Sequence, residues 1–284
     1  MADLRKRLEE NVPGEFYVDS SCIDCDLCRQ IAPGVFRAAG DRSVVQHQPE
    51  GDAEARRAEM ALVTCPTGSI GTLTKRNLAD AILSYPETVE ENVRFCGFAS
   101  EDSFGGSSYL ILRPDGNVLV DSPRFTAPLV RRLEAMGGVQ WMFLSHIDDV
   151  ADHQKFRDHF SCQRVMHAAD AAFEVEQPIQ GRDPQRLAAD LLIVPTPGHT
   201  AGSLSLLYRN KFLFTGDHLW WDPDEGRLGA SRRYNWHSWS EQRRSMERLL
   251  ELPFEWILPG HGVRHHAPAP EMKRLLRDLV ARMG

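Results

Sequence analysis

Cys22, Cys25 and Cys28 stand in a C-x2-C-x2-C run within "SCIDCDLCRQIAPGVF", and Cys65 follows much later in "CPTGSI". Such a triplet lets one short loop aim three thiolates at a single inorganic cluster, while the distant fourth, trailed by Pro66, closes the cage from another segment. A zinc clip would normally pair its cysteines two and two. Farther along, "LSHIDDVADH" packs His146, Asp148, Asp149, Asp152 and His153 closely behind the apolar run "WMFL". That is either a metal site or an acidic helix start behind a buried strand, and spacing alone does not decide.

The surrounding pattern favours a metal. From residue 91 onward, apolar runs repeatedly end on a ligand-type side chain: "WMFLS" on His146, "LLIVPTPG" on His199, "KFLFTG" on Asp217 and "FEWILPG" on His261. Strands that release ligands just past their apolar ends would line them along one edge of a layered sheet, where chain reversal leaves a crevice. "SYLILR", "NVLVD" and "SLSLLY" supply further strands, with Asp115-Gly116 as a hairpin turn.

Helices must back those strands. In "PEMKRLLRDLVARM", Met272, Leu275, Leu276, Leu279 and Val280 form one apolar stripe, as Met246, Leu249 and Leu250 do in "SEQRRSMERLLEL", with Ser240 as the expected cap. In the front segment "EFYVD" reads as a strand, "DLCRQIAP" as a short helix stopped by Pro33, and "VFRAA" and "SVVQHQ" as strands joined by "GDRS". Residues 53–64 give a helix that delivers Cys65. A short amphipathic helix is expected within 74–90, with Leu78, Ile82 and Leu83 on its apolar side and Pro86 at its end.

The front segment resembles the small bacterial ferredoxins that carry one four-iron four-sulfur cluster; "VDSSCIDCDLCRQIAPGVF" and "CPTGSI" carry the likeness, which spans roughly residues 13 to 73. It implies Cys22, Cys25, Cys28 and Cys65 as cluster ligands, with a three-iron cluster or zinc as alternatives. "TPGHTAGS", "FTGDHL" and "LPGHG" resemble the later motifs of the metallo-beta-lactamase fold, a superfamily that includes glyoxalase II, flavodiiron proteins and persulfide dioxygenases. This second likeness spans roughly residues 91 to 284 and implies a four-layer αββα sandwich around one or two metal ions. Carried over by motif, the ligand set is His146, Asp152, His153, His199, Asp217 and His261, with Asp217 able to bridge two ions. Asp152 would also orient the nucleophile. The expected organisation is an α+β chain of two domains: a ferredoxin-like domain at 1–74, a connecting helix at 75–90 and the sandwich at 91–284.

The first motif departs from the family's H-x-H-x-D-H, lacking its second histidine and running two residues longer before the closing Asp-His. Counting forward from His146 puts Asp148 in the missing slot, and counting back from Asp152-His153 puts Val150 there. Asp148 is preferred, because Val150 has no lone pair to give; Asp149 is then expected to cap the following helix. A carboxylate in place of an imidazole hardens the site and moves preference from zinc towards iron or manganese. Flavodiiron proteins likewise carry a carboxylate, glutamate, at this position.

Other residues take plainer readings. Cys96 and Cys162 read as small buried fillers. His47, His159, His167, His237, His265 and His266 are taken as surface or satisfied core residues, and His218 as a ligand's outer support or a ligand itself. The run "RRYNWHSWSEQRRS" reads equally as a pocket wall for an anionic substrate or as a capping loop.

With 284 residues, 42% of them hydrophobic, the chain can bury a full core. Lys and Arg number 33 against 40 Asp and Glu, for a net charge of −7, so the broad basic field that draws proteins to nucleic acid is missing. "MADLRKRLEENVPG" has no apolar core of a signal peptide and no stretch is long enough to span a bilayer, so the expectation is a cytoplasmic protein without a membrane partner.

Three functions are compatible with these motifs. A metal-activated water attacking an ester, thioester or related bond comes first on the base rate of the superfamily. An iron-dependent oxidoreductase acting on oxygen, nitric oxide or a sulfur species, fed electrons by the cluster, comes second. A non-catalytic sensing or binding module is third. The expected partners are a small-molecule substrate and a redox protein at the ferredoxin-like domain.

Overall fold

The computed structural model describes residues 2–284, which divide into two compact units, 2–139 with Ala151–Phe160, and Gln140–Val150 with Ser161–Gly284. In the first unit, strand β1 (Phe16–Val18) is followed by helix α1 (Leu27–Ile31), a hairpin of β2 (Phe36–Ala39) and β3 (Arg42–Val45), and helix α2 (Gly51–Thr64). Strand β4 (Ile70–Thr72) returns antiparallel to β1, with Val18 opposite Ile70. Helix α2 carries Asp52 and Glu54 in its first turn, where their charge suits the helix N-terminus. It buries Ala58, Met60, Ala61 and Val63 and stops at Cys65-Pro66, since proline disfavours helical backbone at the preceding residue.

Helix α3 (Ala79–Leu83) lies inside the expected 74–90 span, but its buried side differs from the expected one: Ala81 is buried, whereas Leu83 is 57% exposed. The helix is only five residues long, and the large side chain that anchors the segment follows it. Tyr85 is fully buried, meets Phe95 and Phe98 edge-on, accepts a hydrogen bond from Thr64 Oγ1 at 2.7 Å and donates to Met60 O at 3.2 Å. A phenol buried with its hydroxyl satisfied at both ends ties this segment to α2. Strands β5 (Glu87–Glu90), β6 (Val93–Phe95), β7 (Tyr109–Ile111) and β8 (Val118–Val120) then form an antiparallel meander, with the expected turn at Asp115-Gly116. Helices α4 (Ala127–Ala135) and α5 (His153–Phe160) complete the unit.

The second unit contains three parallel strands, β9 (Trp141–Phe143), β10 (Gln163–His167) and β11 (Gln177–Ile179), and a six-stranded sheet. That sheet comprises β12 (Gln185–Ala188), β13 (Leu191–Pro195), β14 (Leu204–Tyr208) and β15 (Phe212–Gly216), with β16 (Trp220–Asp222) and β17 (Arg227–Gly229) as a separate hairpin after it. Helix α6 (Trp239–Leu249), strands β18 (Trp256–Pro259) and β19 (His265–His266) and helix α7 (Ala269–Arg282) follow. The sheet order is β12-β13-β14-β15-β18-β19, antiparallel except for the parallel pair β15 and β18. A parallel pair needs a crossover, and α6 lies within that connection.

Met246 and Leu249 of α6 and Met272, Leu275, Leu276 and Leu279 of α7 share one buried cluster with Val194, Leu207, Leu213 and Ile257 of the sheet. Both stripes therefore serve as core. The cap of α6 is Ser238 rather than Ser240: its Oγ accepts from Glu241 N at 3.3 Å, because the helix begins at Trp239 and places Ser240 inside its first turn. Cys96 and Cys162 are buried in the first and second units respectively, as expected of small fillers, and burial pushes the Cys96 thiol up to about 12.

Candidate metal centres

The first unit brings Cys22, Cys25, Cys28 and Cys65 around one enclosed cavity, whose walls include Val18, Ile23, Leu27 and Ile70. Asp24 and Asp26 adopt left-handed backbone, at φ 59° and 62°, a conformation in which aspartate is enriched. Those two turns bend the loop between the three cysteines. Ser43 N donates to Cys22 Sγ at 3.4 Å and Ser69 N to Cys65 Sγ at 3.3 Å. Amide donors of this kind tune a cluster held by sulfur. Burial raises the Cys25 thiol strongly and pushes Cys28 up to about 12, so the bare thiols resist ionisation and a cationic core is what would stabilise their thiolates. No cysteine forms a disulfide among the described residues. An apolar cavity ringed by four sulfurs and backed by amide donors fits an iron–sulfur cluster.

In the second unit the strand ends bring their ligand-type side chains together. His146 follows β9, His199 follows β13, Asp217 follows β15 and His261 follows β18. His146 Nε2 lies 3.9 Å from Asp148 Oδ2 and 3.7 Å from Asp217 Oδ2, while His199 Nε2 lies 3.2 Å and 3.9 Å from the same two oxygens. His261 Nδ1 contacts both Asp217 oxygens, at 2.8 and 2.9 Å. Two overlapping groups can each hold an ion: His146, Asp148 and His199, and His146, Asp149 and Asp217. Neither includes Asp152 or His153, which belong to the first unit. There, the Asp152 carboxylate accepts from Phe125 N and from Lys155 Nζ, each at 2.7 Å, and His153 opens α5.

Asp149 is the residue the sequence reading misplaced. It caps no helix: it lies in the single 3-10 turn Ile147–Asp149, 2% exposed, and neither carboxylate oxygen accepts a hydrogen bond. A β-carbon on Gly260 would fall 2.5 Å from Asp149 Oδ2 and 2.9 Å from Asp217 Oδ1, so glycine in "LPGHG" leaves both carboxylates room to face the same space. Burial, followed by repulsion from Asp217, pushes the Asp149 carboxyl up to about 6. Burial acts on Asp217 in the same sense, but His261 and His146 outweigh it and hold that carboxyl well below the ordinary range. A buried carboxylate with no donor is costly without a cation, and this geometry supplies the place for one. The usable signal was the doubled acid after His146, within an insertion that displaced the closing Asp-His.

The loop that follows β17 holds His199 and Asp148 from behind. His199 Nδ1 donates to Tyr234 O at 2.5 Å, which directs Nε2 towards Asp148, and His199 O accepts from Trp236 N at 2.8 Å and His237 N at 3.1 Å. Trp236 Nε1 donates to Asp148 Oδ2 at 3.0 Å. His146 Nδ1 pairs with Ser145 Oγ at 2.8 Å. Such contacts fix a ligand's tautomer and orientation. The hydrogen bond to His199, opposed by burial and aided by the attraction of His146, holds the Asp148 carboxyl below its ordinary value. His218 is buried with neither ring nitrogen hydrogen-bonded, and burial holds it down to about 3, as a neutral imidazole. The six histidines given plain readings enter neither ligand group.

Residues 92–260, more than half of the chain, match the family model of the metallo-beta-lactamase superfamily, and the chain belongs to that superfamily. Residues 18–72 match the 4Fe-4S single cluster domain of ferredoxin I, so the protein is a metallo-beta-lactamase-fold chain with a ferredoxin-type domain at its front. Similar solved structures include DIM-1 metallo-beta-lactamase exposed to ceftazidime, at 18% identity over 70% of this chain and 96% of that one, TM-score 0.54. VMB-1 matches at 16% identity over 69% and 94%, TM-score 0.52, and ETHE1 from Myxococcus xanthus at 22% over 66% and 84%, TM-score 0.50. At these identities the likeness establishes the mixed α/β sandwich fold alone. No curated protein sequence matches the chain. No helix among the described residues is long and apolar enough to cross a membrane.

Proposed function

We propose that the protein is an iron-dependent oxidoreductase in which the four-cysteine cluster exchanges electrons with a substrate-facing site built from His146, Asp148, Asp149, His199, Asp217 and His261. The observation that carries this reading is Asp149: with it the site offers three carboxylates and three imidazoles and no thiolate. That donor set favours iron or manganese over zinc, and it outweighs the base rate of the superfamily, which points to hydrolysis. When bound, metal ions here supply Lewis acidity and one-electron chemistry, and the cluster supplies electrons singly. His146, Asp148 and His199 would hold one ion, and Asp149 and Asp217, with His261 beside Asp217, would offer the donors for a second.

The chain's own residues do the rest. Ser145 and the Tyr234 carbonyl fix the two imidazoles, and Trp236 holds the Asp148 carboxylate. Asp148 and His261 keep 38% and 29% of their side chains exposed, so the site opens to solvent on their side. Exposed Tyr234 and Trp236, with Arg232 and Arg233 beside them, would suit an anionic sulfur species among the reactants considered. Oxygen, nitric oxide or a sulfur species is the class of reactant that needs single electrons; a redox protein at the ferredoxin-type domain would provide them.

Hydrolysis of an ester or thioester is the second reading, favoured by the overlapping pair of ligand groups, which share His146 as a two-ion hydrolytic site would require close neighbours. Protein purified without oxygen is to be analysed for iron, zinc and sulfide, examined by electron paramagnetic resonance, and assayed for reductant-dependent consumption of oxygen or nitric oxide beside thioester turnover. Iron in both centres with reductant-dependent consumption supports the proposal. Zinc at the second centre, with thioester turnover that persists in Cys65→Ser, replaces it with the hydrolase.

A further inference from the structure

Helix α2 ends at Thr64, one residue before the fourth cysteine, and a helix leaves its last carbonyls without intrahelical donors. Those carbonyls are taken by residues well outside the segment matched by the ferredoxin model. Thr64 O accepts from Ala99 N at 3.2 Å, Val63 O from Arg124 Nη2 at 3.2 Å, and Pro66 O lies 3.5 Å from Arg124 Nη1. Cys65 is thus bracketed on both sides by residues of the 92–260 segment.

A second contact reaches the triplet. The turn at Ser100–Gly106 is closed by Gly105 N donating to Ser100 O at 2.9 Å and Gly106 N to Ser103 O at 2.7 Å. A β-carbon on Gly105 would lie 2.6 Å from Cys25 Cβ, 3.0 Å from Cys25 Sγ and 3.2 Å from Pro66 Cγ. Gly105 therefore lies directly against one cysteine of the triplet and against the proline that follows Cys65. All these residues lie in the first unit.

We propose that the cluster's cage is completed by the metallo-beta-lactamase segment, Gly105 forming a wall over Cys25 and Arg124 a clamp on the Cys65 turn. The inference rests on the four cysteines holding a cluster. Its consequence is that the ferredoxin-type domain is not an independent module: this wall excludes water, and solvent exposure is one of the factors that set a cluster's potential. Lifting it favours the more negatively charged reduced state and raises the potential.

The test uses full-length protein, purified anaerobically, as Gly105→Ala, Arg124→Met and Gly51→Ala. Gly51 has φ +73° and nothing within 4 Å of an added β-carbon, so its alanine carries comparable backbone strain without a neighbour to displace. Iron and sulfide per chain, bleaching of visible absorbance in air, and midpoint potential are measured. The expected result is several-fold faster bleaching and a higher potential in Gly105→Ala, faster bleaching in Arg124→Met, and wild-type values in Gly51→Ala. Wild-type bleaching and potential in Gly105→Ala overturn the proposal, as does an equal defect in Gly51→Ala. Should Gly105→Ala fail to accumulate as folded protein, Arg124→Met decides on the same readouts, wild-type values again overturning it. Wild-type protein without iron and sulfide in this domain would instead refute the cluster reading beneath it.

Discussion

The indole of Trp236 donates its Nε1–H to Asp148 Oδ2 at 3.0 Å although the residue is 62% exposed. Asp148 Oδ2 also lies 3.2 Å from His199 Nε2, and a carboxylate can rotate to present either oxygen where an imidazole presents one nitrogen. One directed donor limits that freedom. Trp236→Phe keeps an aromatic ring and removes the donor; metal affinity at the Asp148 side is expected to fall about 10–100-fold, the usual effect of losing a ligand's hydrogen-bond partner. Stability should change by no more than about 0.5 kcal/mol, as for other exposed positions. Chelator competition and thermal unfolding check both, and unchanged affinity would make the indole a bystander.

Asp149→Asn is expected to lower bound metal by one ion per chain while leaving the His146, Asp148 and His199 group able to load. It should also change the metal-free protein in a pH-dependent way. Burial pushes the Asp149 carboxyl from its ordinary 3.8 to about 6, so between those values the folded state holds a proton that the unfolded chain has released. Stability of the metal-free wild type therefore falls as pH rises through that window. The asparagine variant lacks that titration, so without metal it should be the more stable of the two at pH 7 and lose the advantage near pH 4. Metal should reverse the order. Thermal unfolding with and without metal across this range is the measurement.

The strand ends were legible because each ligand-type side chain sits directly behind an apolar run: His199, Asp217 and His261 could be located by reading where β13, β15 and β18 stop. The helical stripes of α6 and α7 were equally readable, since residues such as Met272 and Leu276 repeat at the spacing of one buried face. The "HIDDVADH" insertion was different. Helix capping and metal ligation both favour an aspartate at this point, and only tertiary burial, with Gly260 opposite, separates them. The grip of Ala99 and Arg124 on the Cys65 turn left no sequence signal, because backbone carbonyls as acceptors are invisible to residue type.

Cysteine replacements should separate cluster ligands from fillers. Cys65→Ser is expected to abolish the visible absorbance of the cluster and its sulfide content. Cys96→Ala and Cys162→Ala, both at fully buried sites remote from the four-sulfur cavity in sequence, should retain them and lose stability only through the small void left behind. Iron and sulfide analysis with visible spectroscopy distinguishes the two classes, and a cluster that survives Cys65→Ser would remove Cys65 from the ligand set.

Arg164 and Glu176 give the second unit a pH-dependent contribution independent of any metal. Glu176 accepts from Arg164 Nε and Nη2, each at 2.8 Å, and from Arg164 N at 3.0 Å, with the two side chains only 4% and 18% exposed. The hydrogen bonds from Arg164, partly opposed by burial, lower the Glu176 carboxyl from 4.5 to about 2. A carboxyl depressed in the folded state stabilises fully above its unfolded value and loses that contribution as pH falls through the folded one. Glu176→Gln should therefore cost about 1.5–3 kcal/mol at neutral pH, the range for hydrogen bonds to a charged group. The gap between variant and wild type should close as pH falls from about 4.5 towards 2. Urea unfolding at a series of pH values measures it, and a gap that stays constant down to pH 2 would show that the arginine fork contributes shape rather than charge.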